Sequence, residues 1–240
     1  MKKVLLVLSL FVFSQMVGQK KYSFDYIFLI EHTDSLKNIK TNSLYWLSSR
    51  HNNYRLYASG NKDSLAYAVL FVDENGISFN RLIAKTKLNK IDTITNTCDE
   101  VNRFGNPYKF EKRNYSFINL KDTLINDTIY YHYILKSKKP LKYQKRKKID
   151  TVHYIVDKTD PDFLPFTYHS MIYEIWKASK NVPNGYPKYI YCINTEGKET
   201  GRVEFKKAKR INRCTIIPND CDYTKEEIRN RNSAFGFILH

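Results

Sequence analysis

The sequence predicts a mainly β protein of the α+β class, a curved antiparallel sheet or half-barrel with one or two helices packed on it. Three observations support this prediction. Short segments place apolar and aromatic residues at every second position, which is typical of strands. Turn-forming residues such as Asn75-Gly76 separate these segments. The regular alternation of strand and helix that marks parallel sheets is missing from the pattern.

The first half of the chain contains five predicted strands. In residues 22–31 five apolar side chains alternate with other residues, namely Tyr22, Phe24, Tyr26, Phe28 and Ile30. Further strands are predicted at residues 44–48, 54–58, 65–73 and 77–83. Residues 84–112 are mixed and polar, so we predict a long connection there.

The second half contains the remaining strands and the helices. Strands are predicted at residues 115–120, 128–136, 151–157, 189–194 and 202–205. Apolar residues at helical spacing, Tyr168, Ile172, Ile175 and Trp176, predict a helix at about 167–179. Thr224 and Glu227 have the spacing of a capping box, which predicts a short last helix.

The N-terminus has the three regions of a secretory signal peptide. Lys2 and Lys3 precede the apolar run 4–12, and small or polar residues follow up to Gly18. We therefore expect a signal peptide at residues 1–18 and a single β-rich domain at residues 19–240, secreted or periplasmic. A retained membrane anchor is the alternative, but the run is shorter than the roughly 20 residues that a spanning helix needs. We expect no transmembrane segment in the mature chain.

The chain is strongly basic, with a formal net charge of +16. The charge favours anionic partners, although a genome that favours lysine codons gives the same composition. Eight cations crowd residues 136–148: Lys136, Lys138, Lys139, Lys142, Lys145, Arg146, Lys147 and Lys148. We interpret them as a flexible basic loop that binds anionic lipid or envelope polysaccharide. The alternative is a solvated loop that only aids solubility.

A second basic cluster lies near the C-terminus and has the same two interpretations. It contains Arg202, Lys206, Lys207, Lys209, Arg210 and Arg213. Neither cluster carries a nucleic-acid-binding motif, so no specific nucleic-acid partner is expected.

Four cysteines predict two disulfides in an oxidising compartment: Cys98, Cys192, Cys214 and Cys221. Cys214 and Cys221 flank the turn-forming Pro218-Asn219-Asp220, so we predict that they pair, which leaves Cys98 with Cys192. A zinc site is disfavoured because the sequence has no CxxC pair.

The sequence contains no catalytic motif that we could assign. HExxH, GxSxG, P-loop and GxGxxG patterns are missing, and His132 and His153 fall inside predicted strands. We assign no catalytic residue, no metal site and no cofactor. The aromatic strand residues are interpreted as core, with a ligand-binding concave face as the alternative.

Several segments together resemble the LolA-like half-barrel proteins that Gram-negative bacteria export. The resemblance rests on Phe24-Asp25-Tyr26, on the strand 152–157 leading into Asp162-Phe163-Leu164-Pro165-Phe166, and on Gly197-Lys198-Glu199-Thr200 followed by Val203-Glu204-Phe205. The Cys214/Cys221 tail and the basic segment depart from that pattern. The resemblance implies a concave face that binds lipid-like ligands, in the periplasm or outside a Gram-negative bacterium.

Our leading hypothesis is therefore an exported, non-enzymatic protein that binds a lipid-like or anionic envelope ligand. The alternative is a structural or protein-interaction module of the cell envelope. A hydrolase with a dispersed site is the third hypothesis.

Overall fold

The computed structural model of the protein describes residues 19–60 and 63–225, which form thirteen strands and three α-helices. The strands are β1 (Gln19–Asp34), β2 (Ile39–Leu47), β3 (Tyr54–Ser59), β4 (Ala66–Asp73), β5 (Ile77–Ala84), β6 (Thr93–Thr95), β7 (Val101–Arg103), β8 (Tyr115–Asn119), β9 (Thr123–Ile125), β10 (Thr128–Ser137), β11 (Thr151–Asp157), β12 (Tyr186–Ile193) and β13 (Glu199–Pro218). The helices are α1 (Lys85–Leu88), α2 (Leu141–Lys147) and α3 (Ser170–Ser179). Four 3-10 turns span Cys98–Glu100, Glu111–Arg113, Asn219–Cys221 and Tyr223–Lys225.

All thirteen strands belong to one curved sheet that is not closed into a barrel. Its order is β7-β5-β4-β3-β2-β1-β13-β12-β11-β10-β8, with β9 paired to β10. Neighbouring strands are antiparallel except β6, which runs parallel to β13. The predicted fold class, a curved antiparallel sheet with helices, is confirmed.

The sheet serves two separate cores. The disulfide-side core contains the buried residues Tyr22, Phe24, Trp46, Tyr54, Leu56, Ala58, Val69, Phe71, Ile77, Phe79, Ile83, Leu88, Ile94, Val101, Ile217 and Cys221. The helix-side core contains Tyr26, Phe28, Ile30, Tyr45, Leu47, Phe117, Tyr133, Leu135, Tyr154, Val156, Phe163, Phe166, Ile172, Ile175, Val182, Ile190 and Phe205.

Strand β1 contributes to both cores along its length. Its pairing with β13 shifts register between Phe24 and Tyr26. Tyr22 and Phe24, before the shift, lie in the disulfide-side core, whereas Tyr26 and Phe28, after it, lie in the helix-side core. The extra residue lies on β13, which advances three residues while β1 advances two, so the alternation of β1 is unbroken and one face of this strand contributes to both cores.

Helix α3 covers the helix-side core with Ile172 and Ile175. It begins at Ser170, three residues after the predicted start, because Thr167 is held in the preceding segment by its hydroxyl, which donates to the Asn52 carbonyl at 2.6 Å. His169 caps the helix by accepting a hydrogen bond from the Met171 N–H at 3.1 Å.

A buried polar cluster, the polar bridge, joins the turn after β4 to helix α3. The Glu74 carboxylate accepts from Arg55 at 2.6 Å, from the Ser170 hydroxyl at 3.0 Å and from Asn106 at 3.5 Å. Asn106 also donates to Glu174 at 3.1 Å. The bridge therefore fixes the start of α3 to strands that belong to the other core.

The predicted elements differ from the observed ones in two long segments. Residues 84–112, predicted as a connection, contain α1, β6 and β7 as well as loops, and the strand predicted at 202–205 is part of the 20-residue β13. The three-residue strands β6 and β7 are too short to show a period-two pattern. The Asn75-Gly76 turn is confirmed: the Gly76 N–H donates to the Asp73 carbonyl at 3.0 Å, and Gly76 has a φ of 133° that favours glycine.

Within residues 19–60 and 63–225 no helix has the length and apolar character needed to cross a bilayer. The predicted signal peptide, residues 1–18, lies outside the described residues, and so does Glu227 of the predicted last helix.

Candidate functional site

The basic segment, residues 136–148, spans the end of β10 and all of α2, and all eight of its cations are exposed. It connects β10 to β11, two neighbouring strands of the sheet. The run of lysines predicts a flexible loop. The structure corrects this, because residues 141–147 are α-helical.

Local contacts explain why a helix forms there. Pro140 precedes the first turn, and Lys148 ends the helix in the left-handed conformation with a φ of 50°. Gln144 is the buried residue of α2 and donates its side-chain N–H to the Lys139 carbonyl at 2.6 Å. The helix is thus fixed by one buried amide, and its charged residues remain in solvent.

The cations of the basic segment have no ion-pair partner among the described residues. Arg146 instead lies over the Tyr143 ring, 5.4 Å from its centroid. Leu141 is 56 % exposed and Tyr143 is 37 % exposed. A surface that combines unneutralised cations with an exposed leucine and tyrosine suits the interface of an anionic membrane.

The second basic cluster lies on β13 and is largely neutralised. Arg202 donates to both carboxylate oxygens of Glu199, at 3.0 and 2.7 Å. Lys206 lies 2.6 Å from Glu204 and 3.5 Å from Glu31.

Other cations of this second cluster act within the fold. Arg213 donates to the carbonyls of Leu88 and Asn89 at 3.0 and 2.7 Å and lies over the Trp46 ring. Arg210 lies over the Tyr26 ring. Four cations of this cluster therefore have partners within the fold, whereas Lys207 and Lys209, like the basic segment, have no ion pair among the described residues.

The aromatic residues of the strands form the two cores, as the first of our two interpretations had it. The cavity beneath Phe163 and Phe166 has a volume of about 10 Å³. A larger groove of about 470 Å³ lies at the sheet edge, lined by Asn119, Leu120, Asp122, Tyr131, His132, Lys180, Asn181, Val182 and Pro183. Of these two spaces, only the edge groove is large enough for a small ligand.

The cysteine pairing predicted from the sequence is wrong. Cys98 is bonded to Cys221, with their Cα atoms 5.4 Å apart, and Cys192 and Cys214 are free. Cys214 lies in β13 beside β6, and its Sγ is 3.4 Å from the Thr93 hydroxyl. The 3-10 turn at 219–221 directs Cys221 into the disulfide-side core, where Cys98 reaches it.

Comparison with known proteins adds structural likeness at low identity. No protein-family model and no curated protein matches the sequence. An uncharacterised conserved protein from Thermus thermophilus is similar with a TM-score of 0.43 and 8% identity, over 79% of this chain and 80% of that one. MucB in the MucA/MucB complex of Pseudomonas aeruginosa is similar with a TM-score of 0.41 and 7% identity, over 78% of this chain and 51% of that one. A LolA superfamily protein from Nitrosomonas europaea, of the family that the sequence resembles, gives a TM-score of 0.28 and 14% identity, over 78% and 85%.

Proposed function

We propose that the protein is an exported, non-enzymatic protein that attaches to anionic lipid at the surface of the cell envelope through its basic segment. The observation that carries the proposal is the contrast in charge pairing. The eight cations of residues 136–148 have no carboxylate partner in the described part of the chain, whereas Arg202 and Lys206 on β13 do. Unpaired lysines near an anionic leaflet contribute about 1 kcal/mol each to binding.

Leu141 and Tyr143 supply the second part of the attachment. Both are exposed on α2 between lysines. Tyrosine rings favour the headgroup level of a bilayer, and an exposed leucine gains free energy on entering the acyl boundary. Aromatic and aliphatic side chains pack together in the helix-side core, which supports binding at the surface rather than inside the half-barrel.

The test is co-sedimentation of the full chain with vesicles of phosphatidylglycerol and of phosphatidylcholine. We expect binding to the anionic vesicles that weakens as salt is raised. Lys142→Gln with Lys145→Gln should reduce the affinity by tenfold or more, since two charges near the surface are lost. The matched control is Lys207→Gln with Lys209→Gln, which removes the same charge from exposed positions of β13.

Equal binding to both vesicle types, or an equal loss in both double variants, would refute the proposal. Binding to a soluble anionic polysaccharide but not to vesicles would also refute it and would identify the other source of negative charge.

The alternative, a protein-interaction module of the envelope, is favoured by a different observation. Ile118, Leu120, Leu124 and Ile129 are exposed at the end of the sheet formed by β8, β9 and β10. Exposed apolar residues beside a terminal strand suit the addition of a partner's strand. A photo-crosslinker at Leu124 should then give one discrete adduct in cells, and the same crosslinker at Lys207 should give none.

A further inference from the structure

Two histidines meet on the face of the sheet opposite to the helix-side core. His132 lies on β10 and His153 on β11, and His132 Nε2 is 3.0 Å from His153 Nδ1. Their side chains point away from the helix-side core, which takes the alternate residues Tyr133 and Tyr154 of the same strands. Both rings are partly exposed, so the pair is open to solvent.

The strand register fixes this approach. Tyr133 faces Tyr154 and Ile134 faces His153 across the β10–β11 ladder, which places His132 and His153 diagonally on one face. The Tyr191 ring stacks on His153 with centroids 4.7 Å apart and an angle of 17° between the rings. His153 is thus held by the backbone ladder and by the Tyr191 ring, which limits its motion before a ligand binds.

The contact between the two rings is a hydrogen bond. One of the two facing nitrogens donates an N–H to the other, because two imidazole lone pairs at 3.0 Å repel one another. Metal ions bind imidazole in its neutral form, which leaves one ring nitrogen with a lone pair.

We propose that His132 Nε2 and His153 Nδ1 form a two-histidine site for a divalent transition-metal ion, with Cu²⁺ preferred. The hydrogen bond between the rings is broken, and the metal lies beside the line that joins the two nitrogens. The donating ring moves its proton to its other nitrogen, so both facing nitrogens present lone pairs and no proton is released. The open coordination positions take water or a small ligand.

The donor atoms set the preference among metals. Imidazole nitrogens bind first-row divalent ions in the Irving–Williams order, in which Cu²⁺ binds more tightly than Ni²⁺ or Zn²⁺. The 3.0 Å between the nitrogens is the length of their hydrogen bond, and both rings reach one ion when they turn their lone pairs toward it.

Access and the remaining ligands are consistent with an exchangeable rather than a structural ion. His132 also lines the edge groove of about 470 Å³. No group of three or more His, Cys, Asp or Glu residues in the described part of the chain could hold an ion, so the protein supplies two ligands at this position. An ion held in this way can be reached by a small carboxylate or amine in the groove.

The test is titration of the full chain, without a histidine tag, with Cu²⁺, Ni²⁺ and Zn²⁺, followed by electron paramagnetic resonance of the copper form. We expect one Cu²⁺ bound with micromolar affinity, weaker Ni²⁺ and still weaker Zn²⁺, and a spectrum with two nitrogen ligands. His132→Asn and His153→Asn should each weaken Cu²⁺ binding by tenfold or more and remove one nitrogen from the spectrum. His51→Asn, which changes an exposed histidine elsewhere, should bind as the wild type does.

Two results would overturn the proposal. One is equal Cu²⁺ affinity in the wild type and in both pair variants, and the other is tighter binding of Zn²⁺ than of Cu²⁺. Because two variants remove one ring each, a folding defect in one of them leaves the other to decide, and circular dichroism identifies the folded one.

Discussion

The two cores of the sheet are closed in different ways. The disulfide-side core is built by β2–β5, strands that follow one another along the chain, and it is held shut by β6, α1 and the Cys98–Cys221 bond. The helix-side core is covered by α3 and by Phe163 and Phe166, which are held in place by packing, by the polar bridge and by hydrogen bonds such as that of the Leu164 N–H to the Ser49 carbonyl. A single sheet can therefore carry one covalently closed half and one half closed by weak contacts. We expect the second half to open first.

The largest expected effect comes from removing one large side chain from each core. Phe71→Ala and Phe163→Ala both empty a fully buried position. Each should lower the free energy of unfolding by about 4 kcal/mol, because a cavity remains in either case. Chemical denaturation measures the loss. Hydrogen exchange should rise in β3–β5 for Phe71→Ala and in β10–β12 for Phe163→Ala, and one shared pattern in both variants would show that the cores are not independent.

Removing the Cys98–Cys221 disulfide tests directly whether it stabilises the disulfide-side core. Its residues are separated by 123 positions in the chain, so the bond restricts a large loop in the unfolded state. Cys98→Ala with Cys221→Ala should lower stability by about 3 kcal/mol. The control is Cys192→Ala, since Cys192 is free and only partly buried. Faster exchange confined to α3 in the disulfide variant would contradict the assignment of this bond to the disulfide-side core.

The polar bridge is the connection between the halves. Glu74→Gln leaves the largely buried Arg55 without its carboxylate and should cost about 3 kcal/mol. The matched control is Glu100→Gln, which breaks the more exposed Arg81–Glu100 pair and should cost less than about 1 kcal/mol. Thermal unfolding of both variants compares them. Equal losses would show that burial of the bridge does not matter.

Low pH should lower the stability of the half of the sheet that carries the helix-side core. Burial, together with the charge of Arg55, lowers the pKa of the His169 imidazole from 6.5 to about 4. Between these values the unfolded chain binds a proton that the folded chain does not, so stability falls as the pH drops from 6.5 to 4. We expect a loss on the order of 2 kcal/mol from this group, measured by urea denaturation across that range. His169→Asn keeps a capping side chain and should flatten this part of the profile; an unchanged slope would assign the loss to other groups.

The sequence predicted the sheet well because its signals are local. The alternation from Tyr22 to Ile30 and the turn at Gly76 depend on neighbouring residues alone, and both are found in the structure. The β6 strand and the cysteine pairing depend on long-range contacts: β6 has three residues and pairs with β13 far along the chain. Neither the parallel pairing nor the position of Cys221 inside the disulfide-side core leaves a periodic signal.

The candidate sites show the same limit. The basic segment is visible as a run of lysines, but its helix depends on Gln144, a single buried amide that composition does not reveal. The His132–His153 contact was missed because it requires the register of β10 against β11. A register that places Tyr133 opposite Tyr154 in the two predicted strands would have brought the histidines together, and the paired tyrosines are the signal for that register.

The pairing of β1 with β13 has a consequence for how the chain folds. Gln19 faces Pro218, so the first described strand finds one of its two neighbours near the other end of the chain. Closing so long a loop is slow, and this contact raises the mean sequence separation of contacts. During synthesis β1 can pair with β2 at once, but its other edge must wait for the ribosome to release β13. Until then the free edge of the aromatic-rich strand β1 presents unpaired backbone groups. We expect aggregation of the incomplete chain to begin at that edge.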